Sequence, residues 1–326
     1  MENVFLVDWL TFVVRGSSLD NVKSLLGLWD SSMGGSCHWE ELGGCNGYPQ
    51  SIWFNGIRLL YGASDEMGIC VQMSGSGCRA YETFGAQDWN KLFSFLVDPA
   101  FSELVHITRL DLAFDDHSGL LDIDRLRADT DAGYYTAKFR WWKCEYGSEG
   151  TTLYYGSPQS KIRLRIYDKA AERDLDGEHW IRVELQLRDG NADSAVKYLV
   201  AGIPMDTVFS GVLRNYILFR EPDYFDSNKS RWPIADYWLA FLDGACPLTL
   251  WVKPGCEYNL SNLQRFVVDQ AGNAISCFVR IYGWENLAYF LETYKKVSDL
   301  PPKYKFLIDL AERSGGFEFD EDETDS

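Results

Sequence analysis

The sequence predicts an α+β fold, with an antiparallel-sheet core followed by a helical C-terminal part. Three observations predict it. Strict apolar/polar alternation recurs between residues 105 and 188, and period two marks strands with one buried face. Strand-type segments rich in β-branched and aromatic residues continue to about residue 220. After Asp189-Gly190 the apolar spacing becomes mainly helical. The expected organisation is an α+β domain over 1–220, a helical region over 221–316 and an acidic tail over 317–326.

Val4 to Arg15 is apolar and β-branched, with Asp8 set inside it, and reads as a first strand. Ser17 or Ser18 can cap a helix carrying Val22, Leu25, Leu26 and Trp29 at helical spacing. Residues 34–47 read as a glycine-rich loop. Ser51 to Tyr61 and Gly68 to Ser74 read as strands joined by a turn at residues 62–65. Ser74 to Arg79 reads as a second glycine-rich turn; no GKS or GKT follows, so it is not a phosphate loop. Asp88 to Leu96 is a helix with Trp89, Leu92, Phe93 and Leu96 on one side.

Val105 to Phe114 is a strand with Leu110, Leu112 and Phe114 on one face and Arg109, Asp111, Ala113 and Asp115 on the other. His106 and Thr108 fall on the apolar register, which makes His106 structural. A short helix over Asp122 to Asp129 and strands over Lys138 to Tyr146 and Thr151 to Tyr155 follow. After a turn at Gly156-Ser157-Pro158, Lys161, Arg163, Arg165 and Tyr167 share one face of a strand and Ile162, Leu164 and Ile166 the other. Lys169 to Leu175 is a short helix or turn. Trp180 to Arg188 alternates again, with Arg182, Glu184, Gln186 and Arg188 on its polar face. Further helices are expected over 194–200, 236–242, 260–269, 275–282, 285–294 and from Pro301-Pro302 to Leu310, with one more strand at 216–220. No internal repeat is visible.

At 326 residues the chain can bury a sizeable core, and 46% apolar with 15% aromatic residues argues for a folded protein. A net charge of -17 argues against indiscriminate binding to nucleic acid but leaves room for a local basic face. Six carboxylates lie between Glu318 and Asp325; without them the charge is still -11, so the body is acidic as well. Such a tail is most often a solvated end. The eight cysteines include no CxxC pair and no signal peptide precedes them, which reads as reduced thiols in a cytoplasm. No apolar run reaches about 18 residues, so no membrane span is expected. The four histidines show no HxH or HxxxH spacing, and no nucleophile elbow, GxGxxG or HExxH is present.

Three cations in a row on one strand face repel one another, a pattern that becomes sensible if a polyanion lies across them. A solvated edge strand is the competing reading. If the strands bearing Asp111, Tyr167 and Glu184 are neighbours, their polar faces merge. Carboxylates from separate strands then suit Mg²⁺ or Mn²⁺, arginines can hold phosphates bidentately, and a tyrosine in a cationic setting can act as a nucleophile. Taken singly each residue is weak: Asp111 is more often a surface ion pair, Asp115 and Asp116 a turn cap, Glu184 a cross-strand partner, Tyr167 a packing residue.

Six short pieces carry a resemblance. They are Val7-Asp8-Trp9-Leu10-Thr11-Phe12, the stretch Met73 to Arg79, Arg109 to Asp116, Tyr155-Gly156-Ser157 with Ser160, Arg165-Ile166-Tyr167-Asp168-Lys169, and Ile181 to Gln186. In this order they resemble the replication initiation factors of rolling-circle plasmids and filamentous phages and the related relaxases of conjugative elements. The resemblance covers about residues 4–190. It implies a core like that of the HUH endonucleases without the histidine pair, and a metal-dependent nicking and joining enzyme. A tyrosine attacks single-stranded or hairpin origin DNA, forming a 5′-phosphotyrosyl link and freeing a 3′-hydroxyl for rolling-circle replication or strand transfer. By motif, Tyr167 matches the nucleophile, with Tyr154 and Tyr155 as rivals. Asp111 and Glu184 match metal ligands, with Asp115 or Asp116 as a further one, for Mg²⁺ or Mn²⁺. Arg109, Lys161, Arg163, Arg165, Lys169 and Arg182 would hold DNA. A host helicase and a second copy of the chain are implied partners, in the cytoplasm of a bacterial host. The alternative is a non-catalytic DNA-binding or regulatory protein of a mobile element with the same fold.

Overall fold

The computed structural model describes residues 3–30, 35, 37–147, 150–175, 177–242, 248, 250, 267 and 272–294. Two compact units divide the chain, residues 1–251 and 252–326. The first unit thus runs beyond the expected boundary at 220. In chain order its elements are β1 (Val4–Val14), α1 (Leu19–Leu26), β2 (Glu40–Gly43), β3 (Gln50–Phe54), β4 (Ile57–Tyr61), β5 (Ile69–Met73), α2 (Gly75–Phe84), α3 (Trp89–Leu96), β6 (Val105–Asp116), α4 (Ile123–Asp131), β7 (Tyr135–Ala137), β8 (Trp142–Gly147), β9 (Gly150–Tyr155), β10 (Ile162–Asp168), α5 (Lys169–Glu172), β11 (Ile181–Arg188), α6 (Gly190–Val200), α7 (Met205–Tyr216), β12 (Ile217–Phe219) and α8 (Asp236–Leu242). The unit extends past 220 because α8 buries Trp238, Phe241 and Leu242, with Trp238 against Phe219 and Phe241 against Phe114 and Phe209. In the second unit α9 (Gly272–Tyr282) and α10 (Trp284–Tyr294) are described, with Phe278 stacked near Phe290. The expected helices at 260–269 and 301–310 and the acidic tail lie outside the described residues.

One sheet holds ten strands in the order β2-β3-β4-β5-β1-β6-β11-β10-β9-β8, every pair antiparallel. The order has an internal symmetry. A long strand (β1 or β6) leads through a helix (α1 or α4) into a four-stranded meander (β2–β5 or β8–β11). The last strand of each meander pairs back onto the long strand, and a helix follows (α2 or α6). The two halves join where β1 pairs with β6. The fold is therefore duplicated, contrary to the expectation of no repeat. A trace survives in matching strands: Ile57-Arg58-Leu59 in β4 and Ile162-Arg163-Leu164 in β10.

The sheet's apolar face carries Leu10, Phe12, Leu110, Leu112, Leu164, Ile166, Val183 and Leu185, all fully buried, with α6 contributing Ala192, Ala195 and Val196 to the same core. The opposite face is covered only in part: Tyr48, Leu60 and Cys70, with Val13, Cys45 and Met67, form a small second cluster over the first half.

Local chemistry explains most elements. Ser18, Asp88 and Asp122 cap α1, α3 and α4 through their side chains. Gly27, at φ 69°, ends α1, so Trp29 falls outside the helix and is 43% exposed. Three expectations are corrected. The glycine-rich loop at 34–47 contains β2. The strand at 51–61 is a hairpin turned at Asn55-Gly56, both at positive φ, the signature of a two-residue turn. The supposed turn at Ser74–Arg79 is the start of α2, because the Ser74 hydroxyl accepts from the Gly77 N–H and starts the helix directly after β5. Helix α7 was not foreseen. The hairpin tip lies on the first turn of α2, where a Cβ on Gly56 would collide with Ser76 Oγ and Gly77 N. Gly56→Ala should therefore cost about 1–3 kcal/mol, read from a urea unfolding curve.

Two bulges interrupt the central β1–β6 pairing, at Asp8 and at Thr108. Each inserts one unpaired residue and shifts the face parity of the chain beyond it. The bulge at Thr108 puts Ile107 in the core and His106 outside, 56% exposed on its side chain, so His106 is not the buried structural residue that simple alternation implied.

Candidate DNA-processing face

Strands β6, β11, β10 and β9 are consecutive neighbours, so the polar faces expected to merge do merge. The cross-strand register sets the rows. Asp115, Arg182, Tyr167 and Thr152 lie opposite one another in turn; Ala113, Glu184, Arg165 and Tyr154 form the next row; Asp111, Gln186 and Arg163 the next. Above them lies a groove of about 1080 Å³, lined among others by Asp8, Trp9, Arg109, Arg165, Tyr167, Lys169, Arg182 and Glu184. Its far wall comes from the first half, including Asn55, Ser74, Ser76 and Arg79. A smaller groove of about 230 Å³, lined by Glu145, Tyr146, Thr152 and Glu172, meets the first at Arg165 and Tyr167.

Tyr167 sits where the two grooves meet. Only 2% of it is exposed. The Arg165 guanidinium stacks over its ring at 3.8 Å and Lys169 Nζ lies 5.2 Å from the ring centre. Burial, and then the Glu184 charge, push the phenol well above its ordinary range; Arg182 and Arg165 oppose that shift. The rival tyrosines separate. Tyr154 faces the same side, under Arg163 at 4.5 Å. Tyr155 points into the core, fully buried, with its hydroxyl 2.5 Å from Thr130 Oγ1.

The carboxylates divide into two groups. Asp115 binds Arg182 through both oxygens, at 2.6 and 2.7 Å, and Asp8 takes the third guanidinium nitrogen at 2.7 Å. Asp116 is absorbed by its loop, accepting from the N–H groups of Ser118 and Leu121 and lying 3.2 Å from His179 Nε2. Asp111 is completely buried, clamped by Arg109 and within hydrogen-bond reach of Glu184. Burial first, and then Glu184, raise its pKa against the pull of Arg109. Glu184 also lies 3.5 Å from Arg165.

Among the described residues no group of three or more His, Cys, Asp or Glu side chains is placed to hold a metal ion. The expected ligands do not fit such an ion as they stand: both oxygens of Asp111 are taken by Arg109 and both oxygens of Asp115 by Arg182, which leaves Glu184 alone of the three.

In the folded state Asp111 holds its proton above the ordinary value of 3.8, at which the unfolded chain has lost it. The folded state then binds more protons, so its contribution to stability falls as pH rises through that window. Glu184→Gln removes one cause of the shift. In a chelated buffer the loss of stability between pH 5 and pH 8 should shrink by about 1 kcal/mol, the equivalent of roughly one pKa unit, as read from urea midpoints at the two pH values.

Of the six cations expected to hold DNA, five have a carboxylate partner: Arg109 with Asp111, Lys161 with Asp189, Arg165 with Glu172 and Glu184, Lys169 with Glu172, Arg182 with Asp115 and Asp8. Arg163 stacks on Tyr154 instead. Sequence reasoning passed over Asp8, Trp9, Arg188 and the first-half wall. The signal for Asp8 was present: a charge inside an otherwise apolar strand.

A solved structure of a rolling circle replication initiator protein from Geobacillus stearothermophilus matches 77% of this chain and 99% of its own, with 33% identity and a TM-score of 0.68. The chain belongs to the replication initiation factor family, whose pattern matches residues 105–294; that of the rolling-circle replication initiation protein N-terminal domain matches residues 4–98. A protein of Bacillus subtilis (strain 168) described as a candidate DNA relaxase, NicK, is 28% identical over 239 residues. That match covers 67% of this chain and 66% of the relative, just under two-thirds of its length. The seam between the two family regions, at 98–105, falls between the two halves of the sheet. No helix among the described residues is long and apolar enough to cross a membrane.

Proposed function

We propose that this chain nicks and rejoins single-stranded origin DNA of a mobile element, with Tyr167 as the nucleophile. The observation that carries the reading is the place of Tyr167, at the junction of two grooves and between cations from β10, β11 and α5. The phenol oxygen attacks phosphorus, the P–O3′ bond breaks, and the products are a 5′-phosphotyrosyl link and a free 3′-hydroxyl. The phenol must lose its proton on the way. Arg165 and Arg182 favour the phenolate, and Glu184, diagonal to Tyr167 across β10 and β11, is the nearest candidate to accept the proton. Arg182 is held in place by Asp8 and Asp115, so its guanidinium is oriented before DNA arrives.

The test is incubation with single-stranded origin oligonucleotides and Mn²⁺, a denaturing gel, and peptide mapping of any covalent product. The expected adduct maps to the peptide containing Tyr167. An adduct on Tyr154, or none on any oligonucleotide from the source element, overturns the assignment.

A further inference from the structure

We infer that the far end of the same face holds a second, non-scissile phosphate of the DNA strand, bound by Arg163 and Arg188. Arg188 is directly opposite Arg109 across β11 and β6, and its backbone N–H bonds Lys161 O at the start of β10. Three cations, Lys161, Arg188 and Arg109, thus follow one another across three strands, with Arg163 one step inward opposite Gln186. Like charges directly opposite destabilise a sheet. Lys161 and Arg109 have their carboxylates, Asp189 and Asp111. Among the described residues Arg163 and Arg188 have none within ion-pair distance. This is unusual company in a chain of net charge -17.

Two details point to a ligand. The Nε atoms of Arg163 and Arg188, like that of Arg165 beside them, lack a hydrogen-bond partner, so these guanidinia carry donor capacity that the protein leaves unmet. Gln186, opposite Arg163 in the register, turns its amide oxygen to Arg109 Nε at 2.8 Å and Arg188 Nη2 at 3.2 Å, and carries no charge to neutralise them. A phosphodiester oxygen offers what is missing: an anionic acceptor for forked donors from two strands. Arg163 is four residues from Tyr167 along β10, about 13 Å. An extended single strand covers that in a few nucleotides, so one strand can lie on both sites at once.

This subsite rests on reading the face as a DNA track but not on Tyr167 being the nucleophile. The experiment therefore uses the full chain with Tyr167→Phe, which binds without forming an adduct, and a fluorescein-labelled single-stranded oligonucleotide read by anisotropy over a range of NaCl. Arg188→Gln should reduce the slope of log K against log salt by up to about 0.7, the contribution of one single-strand phosphate, and adding Arg163→Gln should take the loss no further than that one phosphate. Arg188→Lys should keep the slope. Lys197→Gln, on α6 against the other face of the sheet, changes the net charge equally and should leave the slope intact. Equal slopes for Arg188→Gln and its parent, or an equal reduction by Lys197→Gln, overturn the subsite while leaving the nicking assignment untouched. A parent that binds no single strand overturns both.

Discussion

Replacing Tyr167 with phenylalanine should abolish covalent capture of single-stranded DNA, lowering the rate by about 10⁴-fold or more, since no other atom at that position can form the phosphodiester link. The change removes one oxygen from a residue packed between Arg165 and Lys169 and leaves the ring, so the protein should fold and still bind DNA. In the unmodified protein the phenol is held neutral at pH 7 by burial and by Glu184. The rate of adduct formation should therefore rise with pH between 7 and 9, as the phenolate fraction grows. A rate flat over that range would mean that proton loss from Tyr167 does not limit the step. Adduct formation by Tyr167→Phe at an undiminished rate would remove the residue from the chemistry.

Arg182→Met should be the most damaging single change to stability on this face. Arg182 ties β11 to β6 through Asp115 and to β1 through Asp8, and all three side chains are at most 17% exposed. Methionine fills the space of the stem but leaves two carboxylates in a poorly hydrated site with no cation. Breaking a buried ion pair by removing one partner costs about 3–5 kcal/mol. Urea unfolding at pH 7 reads the loss directly. A loss below about 1 kcal/mol would show that the triad orients groups without stabilising the sheet.

Period two is visible in a sequence wherever one face is buried, which is why β6, β10 and β11 were legible with their faces and why Asp111, Tyr167 and Glu184 could be placed on one surface. The helix starts at Ser18, Asp88 and Asp122 were legible because a capping side chain acts within its own turn. What depends on distant partners was not. The bulges at Asp8 and Thr108 exist only in the pairing of β1 with β6, so the exposure of His106 and the inward turn of Asp8 could not be read from either strand alone. Nor could the choice of Asp115 as the partner of Arg182, since Arg109, Arg163 and Arg165 lie on the same face. The duplication was hidden because its two halves keep topology while most residues differ. Helix α2 was misread because it opens on Gly75 and Gly77, poor helix formers, of which Gly77 is required by the close approach of the Gly56 hairpin and Gly75 lies tight against Asp8.

The seam between β1 and β6 also has a consequence for how the chain comes to be made. Val14 pairs with Val105, and Val4 with Asp115, so the middle of the sheet closes only after about a hundred further residues have been synthesised. At ribosomal speeds of 5–20 residues per second that is about 5–20 s during which one edge of β1 has no partner. Leu10 and Phe12, destined to be fully buried, spend that interval in a half-sheet closed on one side only by β5. The nascent first half is thus the aggregation-exposed species of this protein, and the arrival of β6 is the event that ends its exposure.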